Sequence, residues 1–223
     1  MEYIRFYHQD DSDAKKKMIA AGKRIIDMTV SLVIILLLLP LFALIAVMIK
    51  LDSPGPVFFR QQRIGDKGKI FTFLKFRSMY VDNDDRIHRQ YVTRLIKGEV
   101  SENEGVFKIT NDPRVTSIGK ILRKTSLDEL PQFFNVLKGD MALVGPRPPI
   151  PYELAAYQPW HFRRFMECKP GITGLWQVEG RSKTTFDGMV RMDIRYSRDK
   201  SLLSDLRLLL KTPAALLSAK GAY

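Results

Sequence analysis

A single cysteine, Cys168, stands in this 223-residue chain. That excludes an internal disulfide framework and fits a reducing compartment. Standing alone, the thiol reads as a small core hydrophobe rather than a nucleophile. Histidine is nearly as scarce: His8, His88 and His161 lie far apart and show none of the spacings that hold zinc. There is no internal repeat and no low-complexity tract. Acidic residues are in deficit, 24 against 36 Lys and Arg, for a formal charge of +12. Such a balance suits anionic lipid, phosphorylated substrates or nucleic acid.

Charge is also missing along one stretch. Met28 to Ile49 is uncharged and almost wholly apolar, with Pro40 near its centre. About 20 apolar residues suffice to cross the hydrocarbon core of a bilayer, so lipid and phosphate become the expected partners and nucleic acid does not. Lys15, Lys16, Lys17, Lys23 and Arg24 precede the run, and Lys50, Arg60 and Arg63 follow it. Lys and Arg beside a membrane segment favour the cytoplasmic side, and here both ends carry that preference. A proline lacks an N–H and clashes with the preceding turn, so a helix broken near Pro40 could enter the membrane and return to the same face. An ordinary single span with a tolerated proline stays open as the alternative. A cleaved signal peptide fits poorly, because the run is too long and no small-x-small site ends it.

The organisation follows from these features. Residues 1–18 are a polar lead-in, 19–52 a re-entrant anchor, and 53–223 a catalytic domain at the membrane surface. Ser53-Pro54-Gly55-Pro56 breaks structure at the handover. Val57–Ile64 and Lys69–Met79 read as strands joined by a turn at Gly65–Gly68. Helical spacing covers Asp84 to Gly98, Ile118 to Lys124, and a face from Leu127 to Gly139. Leu202 to Leu210 reads as an amphipathic helix in a membrane interface or packed on the core, stopping before Pro213. The fold class expected is α+β, mostly helical: a membrane helix plus a small domain with a short β-hairpin and interface helices.

Three polar clusters are candidates for chemistry. In Thr125-Ser126-Leu127-Asp128-Glu129-Leu130-Pro131-Gln132, Ser126 and Glu129 have capping-box spacing. Asp128 and Glu129 would then lie in a first helical turn, with Arg123 and Lys124 upstream. Dipole and cations together would keep a carboxylate ionised, fit to attack phosphorus or hold a divalent metal. Capping alone would also explain acids at such a position. In Lys75-Phe76-Arg77-Ser78-Met79 the two cations would share one strand face and could grip a diphosphate, unless they only guard an edge strand. In Val144-Gly145-Pro146-Arg147-Pro148, prolines on both sides stiffen the loop and fix the direction of Arg147, though a plain turn would do the same.

Taken with Lys23–Asp27, Ser53–Gln61, Arg63–Gly65, Leu122–Gln132, Asn135–Met141, Lys169–Val178 and Gly180-Arg181, these clusters resemble, in one order, the bacterial sugar transferase family, the monotopic polyprenyl-phosphate phosphoglycosyl transferases. The resemblance implies transfer of a sugar 1-phosphate from a UDP-sugar to polyprenyl (undecaprenyl) phosphate. It implies that Asp128 attacks the sugar-side phosphorus and forms a covalent phosphosugar, that Glu129 assists, and that UMP leaves. It further implies Mg²⁺ held at Asp128, phosphate contacts from Lys75, Arg77, Arg123 and Arg147, and a place at the bacterial inner membrane with the catalytic domain facing the cytoplasm. Exopolysaccharide, O-antigen or glycoconjugate synthesis would begin with this step, and a homodimer is among the assemblies the family suggests. Larger members carry several membrane helices before this core, where this chain has a short lead-in. The Ser182–Lys211 region is most similar to exopolysaccharide-type relatives. Two rivals remain: a metal-dependent glycosyltransferase using Asp82-Asn83-Asp84, which would release UDP, and a non-enzymatic basic membrane scaffold.

Overall fold

The computed structural model of the protein describes the backbone of residues 2–81, 86–99, 112–180 and 184–217, and the side chains of residues 18–216 within those spans. The Asp82-Asn83-Asp84 motif and Arg181 lie outside the described residues.

Helix α1 runs from Glu2 to Asp52. It begins well before residue 19, where the anchor was expected to start, so the backbone of the polar lead-in is helical from Glu2 on. Pro40 lies inside it without ending it, so a return to the same face would rest on a bend at the proline and not on a break in the helix. A lone proline removes a single N–H from the ladder, and the apolar turns on both sides keep theirs. One stripe of α1 is covered: Asp27, Ser31, Ile35, Phe42, Ile45 and Ile49 are all buried. The 4-4-7-3-4 spacing keeps them on one helical face. The other faces carry exposed leucines and valines, among them Leu32, Val33, Leu36, Leu37, Leu44 and Val47. The segment Met18–Asp52 is long and apolar enough to cross a membrane, and only 22% of its most apolar window is buried. A core helix of a soluble protein would be covered all round.

The hairpin pairs β1 (Phe58–Ile64) with β2 (Ile70–Phe76), antiparallel, from Phe58 opposite Phe76 to Ile64 opposite Ile70. The turn expected at Gly65–Gly68 is there, with Lys67 left-handed at φ 54°. α2 (Arg86–Ile96) buries Val92, Leu95 and Ile96, and Gly98 follows at φ +74°. α3 is Ser117–Thr125, with the Thr116 hydroxyl accepting from the Gly119 N–H as its N-cap. The single helical face expected from Leu127 to Gly139 is divided. A 3-10 turn, Leu127–Glu129, precedes Pro131, and α4 (Gln132–Lys138) follows it. β3 (Ala142–Val144) and β4 (Gly171–Thr173) form a short parallel pair, with α5 (Arg163–Met166) between them in sequence. α6 (Phe186–Asp199) and α7 (Leu202–Leu217) complete the described chain. α7 passes through Pro213 instead of stopping before it. Beside that proline, the Thr212 hydroxyl bonds back to the Leu208 carbonyl at 2.7 Å.

Three apolar clusters hold this together. Phe71 and Phe73 of the hairpin pack with Val136, Met141, Leu143, Val144, Cys168, Tyr196 and Leu208. Burial pushes the Cys168 thiol up to about 11, so it is an inert core residue, as its isolation in sequence suggested. Val92 and Ile96 pack with Trp176, Phe186, Met189, Val190 and Ile194. Phe42, Ile45 and Ile49 of α1 join Phe76 and Leu122, and the Phe42 ring lies 5.1 Å from that of Phe76.

Polar ties fix α1 at both ends of its apolar segment to this same body. Arg24 donates to the Val136 and Leu137 carbonyls of α4, at 2.5 and 2.8 Å. Lys23 pairs with Asp205 of α7 at 2.5 Å. At the far end the Asp52 carboxylate accepts from the Ile118 N–H, at the start of α3. The domain therefore lies alongside the helix rather than beyond one end of it.

Candidate active site

The Asp-Glu pair is set by what crosses beneath it. Gly119 lets α3 pass close over the end of the hairpin, since a Cβ there would stand 2.0 Å from the Ser78 carbonyl oxygen. Asn135 then docks α4 on β2 as a strand would: its Oδ1 accepts from Leu74 N at 3.0 Å and its Nδ2 donates to Thr72 O at 2.7 Å. Between these two fixed points sits the turn with Asp128 and Glu129. Lys75, on β2, reaches both: its Nζ is 2.6 Å from Glu129 Oε1 and 3.4 Å from Asp128 Oδ2. Asp128 is buried, 6% exposed. The ammonium offsets its charge at close range, where a lowered dielectric strengthens the attraction. The capping box expected at Ser126 does not form. Ser126 is left-handed, at φ 56°, closes α3, and its side chain caps nothing. That kink, not a helix start, turns Asp128 inward.

Asp128, Glu129, Lys75, Arg77, Arg123 and Arg147 all line one cavity of about 740 Å³. Arg77 differs from the other five in also holding the backbone. Its Nη1 donates to the Pro54 carbonyl at 2.5 Å, and its Nη2 to the Ser53 carbonyl at 2.7 Å and the Ser53 hydroxyl at 3.0 Å. Those donors are spent on the chain leaving α1. Gly55, at φ +122°, is required beside it, because a Cβ would meet Arg77 Nη1 at 2.0 Å. Lys75 and Arg77 therefore part: one faces the carboxylates, the other clamps the anchor.

Arg147 projects from the loop after β3, and that loop is held from behind. Arg164, 2% exposed, donates to the Arg147 carbonyl at 3.1 Å and pairs with buried Asp193 at 2.8 Å. Tyr196 donates its hydroxyl to the Val144 carbonyl at 3.1 Å. Arg63, absent from the expected site set, lines the same wall. Its Nη1 donates to the Pro148 carbonyl at 2.8 Å. Burial first, and then the charge of Arg147, lower its guanidinium to about 10. With Arg63 buried and Arg147 half-buried in one cavity wall, the two cations could seat an anion. The Arg63-Ile64-Gly65 run hinted at Arg63, but its inward course depends on Pro148, 85 residues away. At another part of the wall Asp112 is held below the usual carboxylate range by its hydrogen bonds from Arg114. His88 and Tyr152, hydrogen-bonded to each other, also line the cavity.

An apolar part of the lining begins just after α1 ends. Pro56, Val57, Phe58 and Phe59 line the cavity a few residues after Asp52, and Phe58 and Phe59 are exposed. A cationic pocket with paired carboxylates thus opens beside a surface suited to lipid. Its donor set fits Mg²⁺ in one respect: Mg²⁺ is usually bound by one or two carboxylates plus substrate phosphates, not by an all-protein cage. Asp128 and Glu129 supply such carboxylates. Among the described residues no cluster of three or more His, Cys, Asp or Glu forms such a cage.

Comparison with known proteins places this geometry. A family model described as bacterial sugar transferase matches residues 18–219. The galactosyl transferase CpsE of Streptococcus agalactiae is 44% identical over 207 residues, covering 90% of this chain and 43% of the relative. The exopolysaccharide production protein ExoY of Rhizobium meliloti is 37% identical over 218 residues, covering 98% and 95%. The undecaprenyl-phosphate galactose phosphotransferase of Salmonella typhimurium is 41% identical over 201 residues, covering 90% and 41%. The chain thus spans less than half the length of the first and third of these relatives and nearly all of the second.

Proposed function

This chain belongs to the bacterial sugar transferase family and is an enzyme of the sugar-phosphate transferase type, and from that premise we propose that it moves a sugar 1-phosphate from a UDP-sugar to undecaprenyl phosphate. The observation that carries the reading is the meeting of Asp128 and Glu129 with Lys75, Arg63, Arg123 and Arg147 in one cavity at the end of α1. Phosphoryl transfer asks mainly for positioning and for stabilisation of charge around the transferring group, and this wall offers both.

In the proposed sequence, an Asp128 oxygen attacks the sugar-side phosphorus of the donor. The bond from that phosphorus to the bridging oxygen breaks, and UMP leaves with that oxygen. An aspartyl phosphosugar remains. An oxygen of the lipid phosphate then attacks the same phosphorus, the carboxylate is released, and the product is a polyprenyl diphosphate sugar. Glu129 holds the Lys75 ammonium so that it also faces Asp128. The Arg63–Arg147 seat suits the leaving phosphate. Asp128 and Glu129 would hold Mg²⁺, which when bound neutralises diphosphate charge.

The lipid acceptor is confined to the bilayer, so the site must lie at its boundary. Both ends of the apolar part of α1 are tied to one body, which supports a re-entrant course with the domain on the cytoplasmic face of the inner membrane. The exposed leucines of α1 would then lie in one leaflet. Family membership sets aside the non-enzymatic scaffold. A glycosyltransferase using Asp82-Asn83-Asp84 remains the rival, and the leaving group decides between them. With radiolabelled UDP-sugars and undecaprenyl phosphate, starting from UDP-galactose, UMP release is expected; UDP release would overturn the proposal.

A further inference from the structure

Away from the Asp128 cavity, a second, open groove of about 610 Å³ lies between α6 and the turn before α5. Arg163, Arg191, Arg195 and Arg198 line it with Trp160, against one acidic lining residue, Asp199. Arg163 pairs with Glu167 at 2.6 Å and Arg195 loosely with Asp199 at 3.9 Å. Among the described residues, Arg191 and Arg198 form no ion pair with a carboxylate. Arg191 stacks over the Trp160 ring at 5.6 Å from its centroid. The mechanism proposed above uses none of these groups.

A solvated basic helix face would be convex and free of aromatic residues. This one is a groove lined by a half-buried tryptophan, and its cations are all arginine, whose planar fork matches a phosphate ester better than an ammonium does. The inner side of α6 leaves no freedom to rearrange, since Met189, Val190 and Asp193 are buried. Four residues after Arg198 the chain enters α7, whose Leu202, Leu203, Leu206 and Leu210 are exposed. Arginines and tryptophan followed at once by an uncovered leucine face form the sequence of contacts met on descending from headgroup to acyl chain. We infer that the Trp160–Arg191–Arg198 groove is a binding site for the phosphate of an anionic phospholipid headgroup, which seats the α6–α7 corner on the bilayer. The catalytic reading is not a premise of this site.

The test uses the full chain carrying Trp176→Phe, so that Trp160 is the sole tryptophan, reconstituted in vesicles containing brominated phosphatidylglycerol or brominated phosphatidylcholine at equal fraction. Trp160 emission is expected to be quenched, with roughly fivefold or greater preference for phosphatidylglycerol. Arg191→Gln, Arg195→Gln and Arg198→Gln together should bring the preference to parity while nucleotide release is unchanged. Absence of quenching by either lipid, equal quenching in the parent, or a preference that survives the triple change would overturn the inference. So would loss of the preference on adding inorganic phosphate or a hexaglutamate peptide, which would assign the groove to a soluble anion or an acidic protein. Should Trp176→Phe fail to fold, native mass spectrometry of the otherwise unaltered chain replaces it. Phosphatidylglycerol retained by the parent must be lost on the triple change, and retention in both would count against the site.

Discussion

Two cations two residues apart do different work. Lys75 faces Asp128 and Glu129, whereas Arg77 clamps Ser53 and Pro54. Lys75→Met should therefore leave the fold intact and lower kcat by about 10²–10³, the usual cost of one lost charge-stabilising contact. Arg77→Met should do the reverse. It strands buried carbonyls at a cost of about 3 kcal/mol, a fall in Tm of roughly 6–12 °C for a chain of this size, with KM for the donor little changed in the folded fraction. Thermal melts and steady-state kinetics on both variants check the contrast. Sequence alone could not separate the pair. That Asp128 and Glu129 stand together beside basic residues was readable, but the direction of Arg77 depends on the path after α1. The left-handed Ser126 was equally hidden, because its conformation answers to the crossing of α3 over Ser78 rather than to its neighbours.

Individual elements differ in how far they could be foreseen. The hairpin was readable, since Gly65–Gly68 separates two aromatic-rich runs and the register follows from that turn. α1 was readable as apolar, but its covered stripe was not, because stripe residues such as Ile35 and Ile45 look no different from exposed Leu36 and Leu44 until the domain is beside them. α7 outran its expected stop, since one proline does not end a helix whose other turns keep their bonds. The element most exposed to a single change is α3. Gly119→Ala would drive a methyl into the Ser78 backbone. The expected outcome is a displaced α3, a loss of about 1–3 kcal/mol from overpacking, and activity reduced more than stability, since Arg123 and the Asp128 turn move with it. Urea melts alongside turnover measure the two losses, and unchanged activity would show that the close crossing does not position the site.

For the whole molecule, the governing relation is between α1 and the domain packed along it. A perpendicular crossing would draw the domain into the bilayer, whereas a re-entrant course keeps both ends of the apolar segment on one side. Cysteines introduced at Ala20 and at Lys200 should both react with an impermeant maleimide from the cytoplasmic face of oriented vesicles, with buried Cys168 silent. Reaction from opposite faces would rule out the re-entrant course. The placement of the site at the membrane boundary depends on this topology, because the apolar lining at Pro56–Phe59 follows directly on the end of α1.

The most direct measurement is the intact mass of the enzyme after incubation with UDP-sugar and no lipid acceptor, followed by peptide mapping. The account predicts a gain equal to one phosphorylated sugar, carried on the peptide containing Asp128 and absent from the folded Asp128→Asn variant, which should also show no turnover. An unmodified enzyme that nevertheless converts donor and acceptor to product, or an adduct mapped to another residue, would contradict it.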